Sequence, residues 1–174
     1  GAVKGAVFSP DGSKAVTYSE DGSARIWPTK IQEPLILRAY DSPVKSAIFS
    51  PDGTRILSES YSGTARLSYT DGSIESDSFD QMGLGRMSAV FSPDGTRVAT
   101  VSKENEVLIL SVNGNNKPVG LTGKRGWPIR ALAFSADGSR AMAVPVGDPV
   151  RIWAADGLRA PSVLELKSEA QAIS

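Results

Sequence analysis

Phe8-Ser9-Pro10-Asp11-Gly12 is a five-residue string that the chain repeats. It returns at Phe49 to Gly53 and at Phe91 to Gly95, and again, with Ala in place of Pro, at Phe134 to Gly138. Successive copies lie 41, 42 and 43 residues apart. Pro-Asp-Gly is turn chemistry, because Pro presets φ, Gly accepts a positive φ and Asp favours turns. Repetition in the same hairpin turn explains these aspartates as structure rather than as metal ligands.

Outward from each turn the pattern is that of short strands. An apolar run precedes each Phe: Val3 to Phe8, Val44 to Phe49, Arg86 to Phe91 and Ile129 to Phe134. A second strand follows each turn, at Lys14 to Ser19, Arg55 to Ser60, Arg97 to Ser102 and Arg140 to Val144. Third strands are predicted at Ala24 to Trp27, Ala65 to Ser68, Val107 to Leu110 and Val150 to Trp153. Weaker fourth strands are expected near Pro34 to Leu37, Ile74 to Ser78, Pro118 to Leu121 and Pro161 to Leu166. No long 3.6-residue apolar period survives a Gly or Pro, so no substantial helix is predicted. The chain reads as all-β, in units that fall in the ~40–45-residue window of a propeller blade. The expected blades are residues 1–41, 42–83, 84–126 and 127–170, with 171–174 beginning a next strand.

Composition narrows the chemistry. The 174 residues are 40% hydrophobic, enough for a core, and 19 basic residues balance 19 acidic ones. That neutrality argues against a nucleic-acid or membrane-surface protein, and 7% aromatics provide few stacking platforms. There is no cysteine and no histidine. Ser-His-Asp and Cys-His catalysis, disulfides and His-bearing zinc sites are thereby excluded. Gly123-Lys124-Arg125 falls short of a phosphate loop, since Pro118 stands where Gly is needed and Arg125 where Ser or Thr belongs. No serine sits in a G-x-S-x-G elbow. The chain is expected to be no enzyme, with no cofactor and no metal. No apolar run approaches the ~20 residues of a membrane span, and no segment resembles a signal peptide, so a cytoplasmic location is expected. The first residue is Gly rather than Met, so the natural ends of the protein need not coincide with these.

The unit from Val44 through Phe49-Ser-Pro-Asp-Gly-Thr-Arg-Ile-Leu-Ser58 resembles the WD40-repeat family, particularly its bacterial members. So does the stretch from Val3 through Glu20-Asp21-Gly22-Ser23-Ala24-Arg25-Ile26-Trp27, and the four copies cover essentially the whole chain. The resemblance implies a β-propeller with four four-stranded blades. They would stand alone, or form part of a larger seven- or eight-bladed ring, or of a dimer completing one. It also implies a buried network joining a His before the first strand, a Ser or Thr in the second, an Asp in the turn and a Trp in the third. Carried onto this chain, the hydroxyl column is Thr17, Ser58, Thr100 and Ala143, and the turn-acid column Asp21, Ser62, Glu104 and Gly147. The Trp column is Trp27, Ser68, Leu110 and Trp153, and the His column holds Tyr40 and Lys124. Every blade therefore lacks part of the network. No Trp-Asp pair survives, since Pro28 and Ala154 follow the tryptophans.

A blade packs both sheet faces on its neighbours, so an open array of four leaves an apolar face bare at each end. A larger ring, completed by another segment, another chain or a second copy, is the preferred expectation over a closed ring of four.

Candidate contact residues follow from charge and position. Asp71, Glu75, Asp77 and Asp80 cluster without a base, and a charged edge strand explains them better than a calcium site. Lys117, Lys124, Arg125 and Arg130 flank Trp127 with no acid, the composition of an interface hot spot. The second residue of each first strand is Lys4, Lys45, Met87 and Arg130, with Arg86 one step earlier in the third copy. Such a column is expected to ring one mouth of the channel and to attract an anionic ligand, a peptide or an acidic partner. On the resemblance, partners engage the face bearing the loops before each first strand and between the second and third. The candidate contacts there are Tyr40, Lys45, Tyr61, Arg86, Arg125, Trp127 and Arg130. The expected function is a non-catalytic protein–protein interaction scaffold, or else a regulatory or sensory propeller segment of a larger multidomain protein. Its partners would be other proteins or flanking domains of the parent chain, with a homodimer among the options and neither nucleic acid nor membrane.

Overall fold

The described residues form sixteen strands in four antiparallel sheets, each built from four strands consecutive in the chain. The computed structural model describes residues 1–29, 33–38, 40–76, 89–102, 105–112, 118–121, 128–156 and 162–164, and these contain no helix. Blade 1 comprises β1 (Val3–Phe8), β2 (Lys14–Ser19), β3 (Ser23–Pro28) and β4 (Leu35–Arg38). Blade 2 comprises β5 (Val44–Phe49), β6 (Arg55–Ser60), β7 (Ala65–Tyr69) and β8 (Ile74–Ser76). Blade 3 comprises β9 (Val90–Phe91), β10 (Arg97–Val101), β11 (Val107–Ser111) and β12 (Val119–Leu121). Blade 4 comprises β13 (Ile129–Phe134), β14 (Arg140–Pro145), β15 (Val150–Ala154) and β16 (Ser162–Leu164). The strands match the predicted ones to within a few residues. Pro34 and Pro118 fall outside β4 and β12, as residues without an N–H to give the ladder. Residues 86–88 and 171–174 lie outside the described residues.

The repeated turn closes the same way in every blade. Ser9 Oγ donates to Asp11 Oδ1 at 2.6 Å, the Ser13 N–H donates to the same carboxylate at 3.0 Å, and the Lys14 N–H donates to Ser9 Oγ at 2.9 Å. Ser50–Asp52, Ser92–Asp94 and Ser135–Asp137 make the equivalent hydroxyl–carboxylate bond at 2.5 Å. The glycines that follow, Gly12, Gly53, Gly95 and Gly138, have φ of 68 to 69°. Serine donors hold the Asp11, Asp94 and Asp137 carboxyls down to about 2. Asp52 is lowered in the same way, by Ser50.

The cores lie between blades. Val16, Ala24, Ile26 and Leu37 of blade 1 pack with Ala47 and Ile56 of blade 2. Leu57, Ala65 and Leu67 of blade 2 pack with Val98 and Leu110 of blade 3. Ala99, Val107 and Ile109 of blade 3 pack with Ala141, Ala143 and Trp153 of blade 4. Cross-strand partners share a face, which gives each blade two distinct sides. The side bearing the repeated Phe and the Trp column packs backward on the preceding blade; we call it leading, and the opposite side trailing. In the middle blades both sides are covered, so Ile56–Ser60 and Val98–Val101 are buried residue after residue. In β14 burial alternates instead: Ala141 and Ala143 are buried, Met142 and Val144 half-buried.

Candidate functional site

The start of each first strand, the end of each second strand and the turn into the third share one end of a blade. Three first strands carry a bulge there. The register skips one residue between Val3 and Gly5, between Val44 and Ser46, and between Ile129 and Ala131. The skipped residues are Lys4, Lys45 and Arg130, so the cation column occupies the bulge position. Lys4 pairs with Glu20; their mutual hydrogen bond raises the lysine and lowers the carboxyl. Lys45 Nζ lies 3.2 Å from Glu59 Oε2. Two members of the predicted ring of cations are thus neutralised by acids of their own blades. Arg130 is exposed at the bulge of β13, and Met87 lies outside the described residues.

Glu59 is a fully buried carboxylate, and sequence reasoning overlooked it. Besides Lys45 it accepts the Ser46 hydroxyl at 3.0 Å and, through Oε1, the Ala89 N–H at 2.9 Å. It therefore ties blade 2 to the chain entering blade 3. The available signal was its column, in which the other copies place Tyr18, Val101 and Val144. An acid in a buried column needs partners.

Tyr40 stands where the resemblance expects histidine, and it does part of that residue's work. Its hydroxyl donates to the Ser58 carbonyl at 2.5 Å and lies 2.8 Å from Ser58 Oγ. In blade 1 Trp27 Nε1 donates to Thr17 Oγ1 at 2.9 Å, a second surviving fragment of the network. Blade 3 keeps neither link among the described residues. Leu110 is buried in the Trp column, and the buried Thr100 hydroxyl has no hydrogen-bond partner there.

Between the β2–β3 turn and the loop ahead of β5 lies a cleft of about 520 Å³, lined by Asp21, Ser23, Arg25, Tyr40, Asp41 and Arg66. Asp21 organises one wall by accepting the Ser23 hydroxyl at 2.5 Å, Arg25 Nη2 at 2.8 Å and the Ser23 N–H at 3.0 Å, and these donors, the Ser23 hydroxyl first, hold its carboxyl well below the usual range. The Arg66 guanidinium sits 5.6 Å from the Tyr40 ring centroid. Gly22 permits the close approach: its φ is 76°, and a Cβ there would stand 2.7 Å from the Tyr40 carbonyl oxygen. Arg25 and Arg66 share a column with Arg151, which pairs with Asp148. That arginine column, two residues before the Trp column, was legible in the sequence but went unread. Such a cleft offers fixed carboxylates and guanidiniums to a polar chain.

Of the predicted contacts, Tyr40 is half-buried in the cleft and Lys45 is mostly covered and paired with Glu59. Tyr61 is 66% exposed on the β6–β7 turn, where its N–H donates to the Pro43 carbonyl at 3.1 Å. These three gather at one end of blade 2, away from Arg130 in blade 4. Arg86, Arg125 and Trp127 lie outside the described residues, as do Asp77, Asp80, Lys117 and Lys124. Asp71 caps its own turn by accepting Ser73 N–H at 2.8 Å. Among the described residues no three acids, histidines or cysteines gather as a metal site.

Sheets of this order, with a shared hairpin turn and faces packed blade on blade, define a β-propeller array. The family described as WD domain, G-beta repeat matches residues 1–28 and 32–67, from β1 into β7. Over those residues the chain matches the WD40-repeat family, and blades 3 and 4 repeat the same four-stranded unit. Its structure is similar to the C-terminal WD40 domain of Sif2, with a TM-score of 0.72 and 22% identity over 87% of this chain and 42% of that one. The chain thus spans less than half the length of that domain, and at this identity the likeness carries the fold alone. No curated protein matches the sequence.

Proposed function

We propose that the chain is a non-catalytic protein–protein interaction scaffold that engages its partner at the bulge end of the blades. The observation that supports this most is the cleft between blades 1 and 2, where Asp21, Arg25, Tyr40, Asp41 and Arg66 surround a cavity open to a polar segment. Tyr61, exposed beside it, is the amphipathic kind of side chain enriched at interfaces. Arg130 is exposed at the same end of blade 4, and Arg86, Arg125 and Trp127, outside the described residues, stay candidates by their sequence position. The test is quantitative capture of cytoplasmic proteins by the immobilised chain. Tyr61→Ala and the pair Arg125→Ala with Trp127→Ala should each reduce capture at unchanged thermal stability. Equal loss of stability would return those residues to the core, and unchanged capture would overturn the reading.

A second reading has one observation in its favour. Four blades correspond to less than half of the matched WD40 domain, which fits a regulatory propeller segment docked on flanking domains of a longer chain. Capture of those domains, in place of separate proteins, would support it.

A further inference from the structure

The turns between second and third strands of blades 1 and 2 carry one motif with one telling exchange. Ser19-Glu20-Asp21-Gly22-Ser23-Ala24-Arg25 aligns with Ser60-Tyr61-Ser62-Gly63-Thr64-Ala65-Arg66, so a serine stands where blade 1 has its turn acid. The backbone takes the same path in both, with Gly22 at φ 76° and Gly63 at φ 86°. In blade 1 the acid is the acceptor of the turn. Asp21 takes the Ser23 hydroxyl at 2.5 Å, Arg25 Nη2 at 2.8 Å and the Ser23 N–H at 3.0 Å. In blade 4 an arginine of the same column, Arg151, likewise pairs with an acid of its turn, Asp148.

Blade 2 keeps the residues that supply those donors, as Thr64 and Arg66, but not the carboxylate. Its hydroxyls turn to one another instead. Ser62 Oγ lies 2.7 Å from Ser60 Oγ and 3.3 Å from Thr64 Oγ1. Ser42, on the loop ahead of β5, donates its hydroxyl to Ser62 Oγ at 3.1 Å and accepts the Ser62 N–H at 3.2 Å. Ser60 is buried under the cluster, whereas Ser62 is exposed at the tip of the turn, next to Tyr61. The acid of the adjoining strand, Glu59, is committed to Lys45, Ser46 and the Ala89 N–H. Three hydroxyls thus converge on an accessible serine, with an arginine four residues on, as Arg25 is from Asp21.

We propose that Ser62 is a phosphorylation site, and that its phosphate takes the place of the missing turn acid. A protein kinase transfers the terminal phosphoryl group of a nucleoside triphosphate to the serine. The bond from Ser62 Oγ to phosphorus forms as the β–γ bridge breaks, the hydroxyl proton passes to a base of the kinase, and the diphosphate leaves. Phosphoserine brings a charge of about −1.5 to −2 and three strong acceptor oxygens. The Ser42, Ser60 and Thr64 hydroxyls then donate to it, and Arg66 meets an anion in the position that Asp21 holds for Arg25. The modification ties the turn that presents Tyr61 to the loop of Ser42. Ser73 supplies the contrast. It is exposed on its own turn too, but its N–H and hydroxyl already go to Asp71 at 2.8 and 2.7 Å, so a phosphate there would face a carboxylate.

The experiment has two arms. In the first, phosphoserine is encoded at position 62 of the 174-residue chain and thermal unfolding is followed. Tm should rise by roughly 2–4 °C for each charge-assisted bond gained. Measured against the same variant without phosphate, that rise should be largely lost in Arg66→Gln and reduced in Ser42→Ala. Ser62→Asp should give a smaller rise than phosphoserine, and phosphoserine at 73 should lower Tm. An unchanged or lower Tm with phosphoserine at 62 would overturn the proposal. In the second arm the unmodified chain is incubated with ATP and a casein-phosphorylating extract of the cells that make it, and its peptides are mapped by mass spectrometry. Phosphate on Ser62, absent from Ser62→Ala, is the expected result. Phosphate at other residues alone, or none, would overturn the assignment. Neither arm uses partner capture, so the modification site stands or falls apart from the scaffold reading.

Discussion

The Tyr40 hydroxyl donates to the Ser58 carbonyl across 2.5 Å and lies 2.8 Å from the Ser58 hydroxyl, joining the loop ahead of β5 to the middle of β6. A tyrosine thereby performs, in blade 2, the link that the family's pattern assigns to histidine. Tyr40→Phe keeps the ring under Arg66 and removes only the bonds. It should cost roughly 1–3 kcal/mol, the range for leaving a buried polar partner unsatisfied. Denaturant unfolding monitored by Trp fluorescence measures it, and an unchanged midpoint would show that the bond contributes nothing.

Glu59 is expected to be the most sensitive polar position in the described residues. Glu59→Ala strands the mostly covered Lys45 and the Ala89 N–H together, and breaking a buried pair from one side costs about 3–5 kcal/mol. Glu59→Leu combined with Lys45→Met removes both charges and should be milder than Glu59→Ala alone. A double variant as unstable as the single one would show that the Ala89 bond, rather than the ion pair, dominates.

Thr100 offers the opposite case. Its hydroxyl is buried without a hydrogen-bond partner among the described residues, opposite Leu108. Thr100→Val removes a desolvated group at nearly constant volume, and should stabilise by up to ~1 kcal/mol. A rise in Tm checks this; a fall would reveal a partner for the hydroxyl.

Acid should loosen all the blades together. Asp11, Asp94 and Asp137 are held down to about 2 by Ser9, Ser92 and Ser135, against an ordinary aspartate value of ~3.9. The unfolded chain binds these protons first. The stabilisation is therefore complete above about pH 4 and is lost as pH falls toward 2. Tm should drop steeply over that window, and less steeply in Ser92→Ala, which frees Asp94 toward its ordinary value. An equal slope in both proteins would place the acid sensitivity elsewhere.

The repeat made most of the fold legible, because turn chemistry is local. Ser-Pro-Asp-Gly dictates a hairpin through bonds between residues two to five apart, and four copies imply four sheets. The candidate site was less legible. Tyr40 could be placed by its column, but its bond to Ser58 depends on how the loop before β5 lies over β6. Lys45 read as a free cation because its acid, Glu59, is on the neighbouring strand, 14 residues on. A bulge and a register, neither encoded by residue type, bring the two together.

Period, turn and strand alternation were therefore readable from residues alone, since each rests on interactions within one blade. Which faces are covered was decided by packing between blades. Phe8 and Phe134 occupy the same place in the same string, yet one is 69% exposed and the other is half-buried against the core that blade 4 shares with blade 3. The residues are identical; the difference is whether a preceding blade stands against them, and only the tertiary arrangement supplies that neighbour.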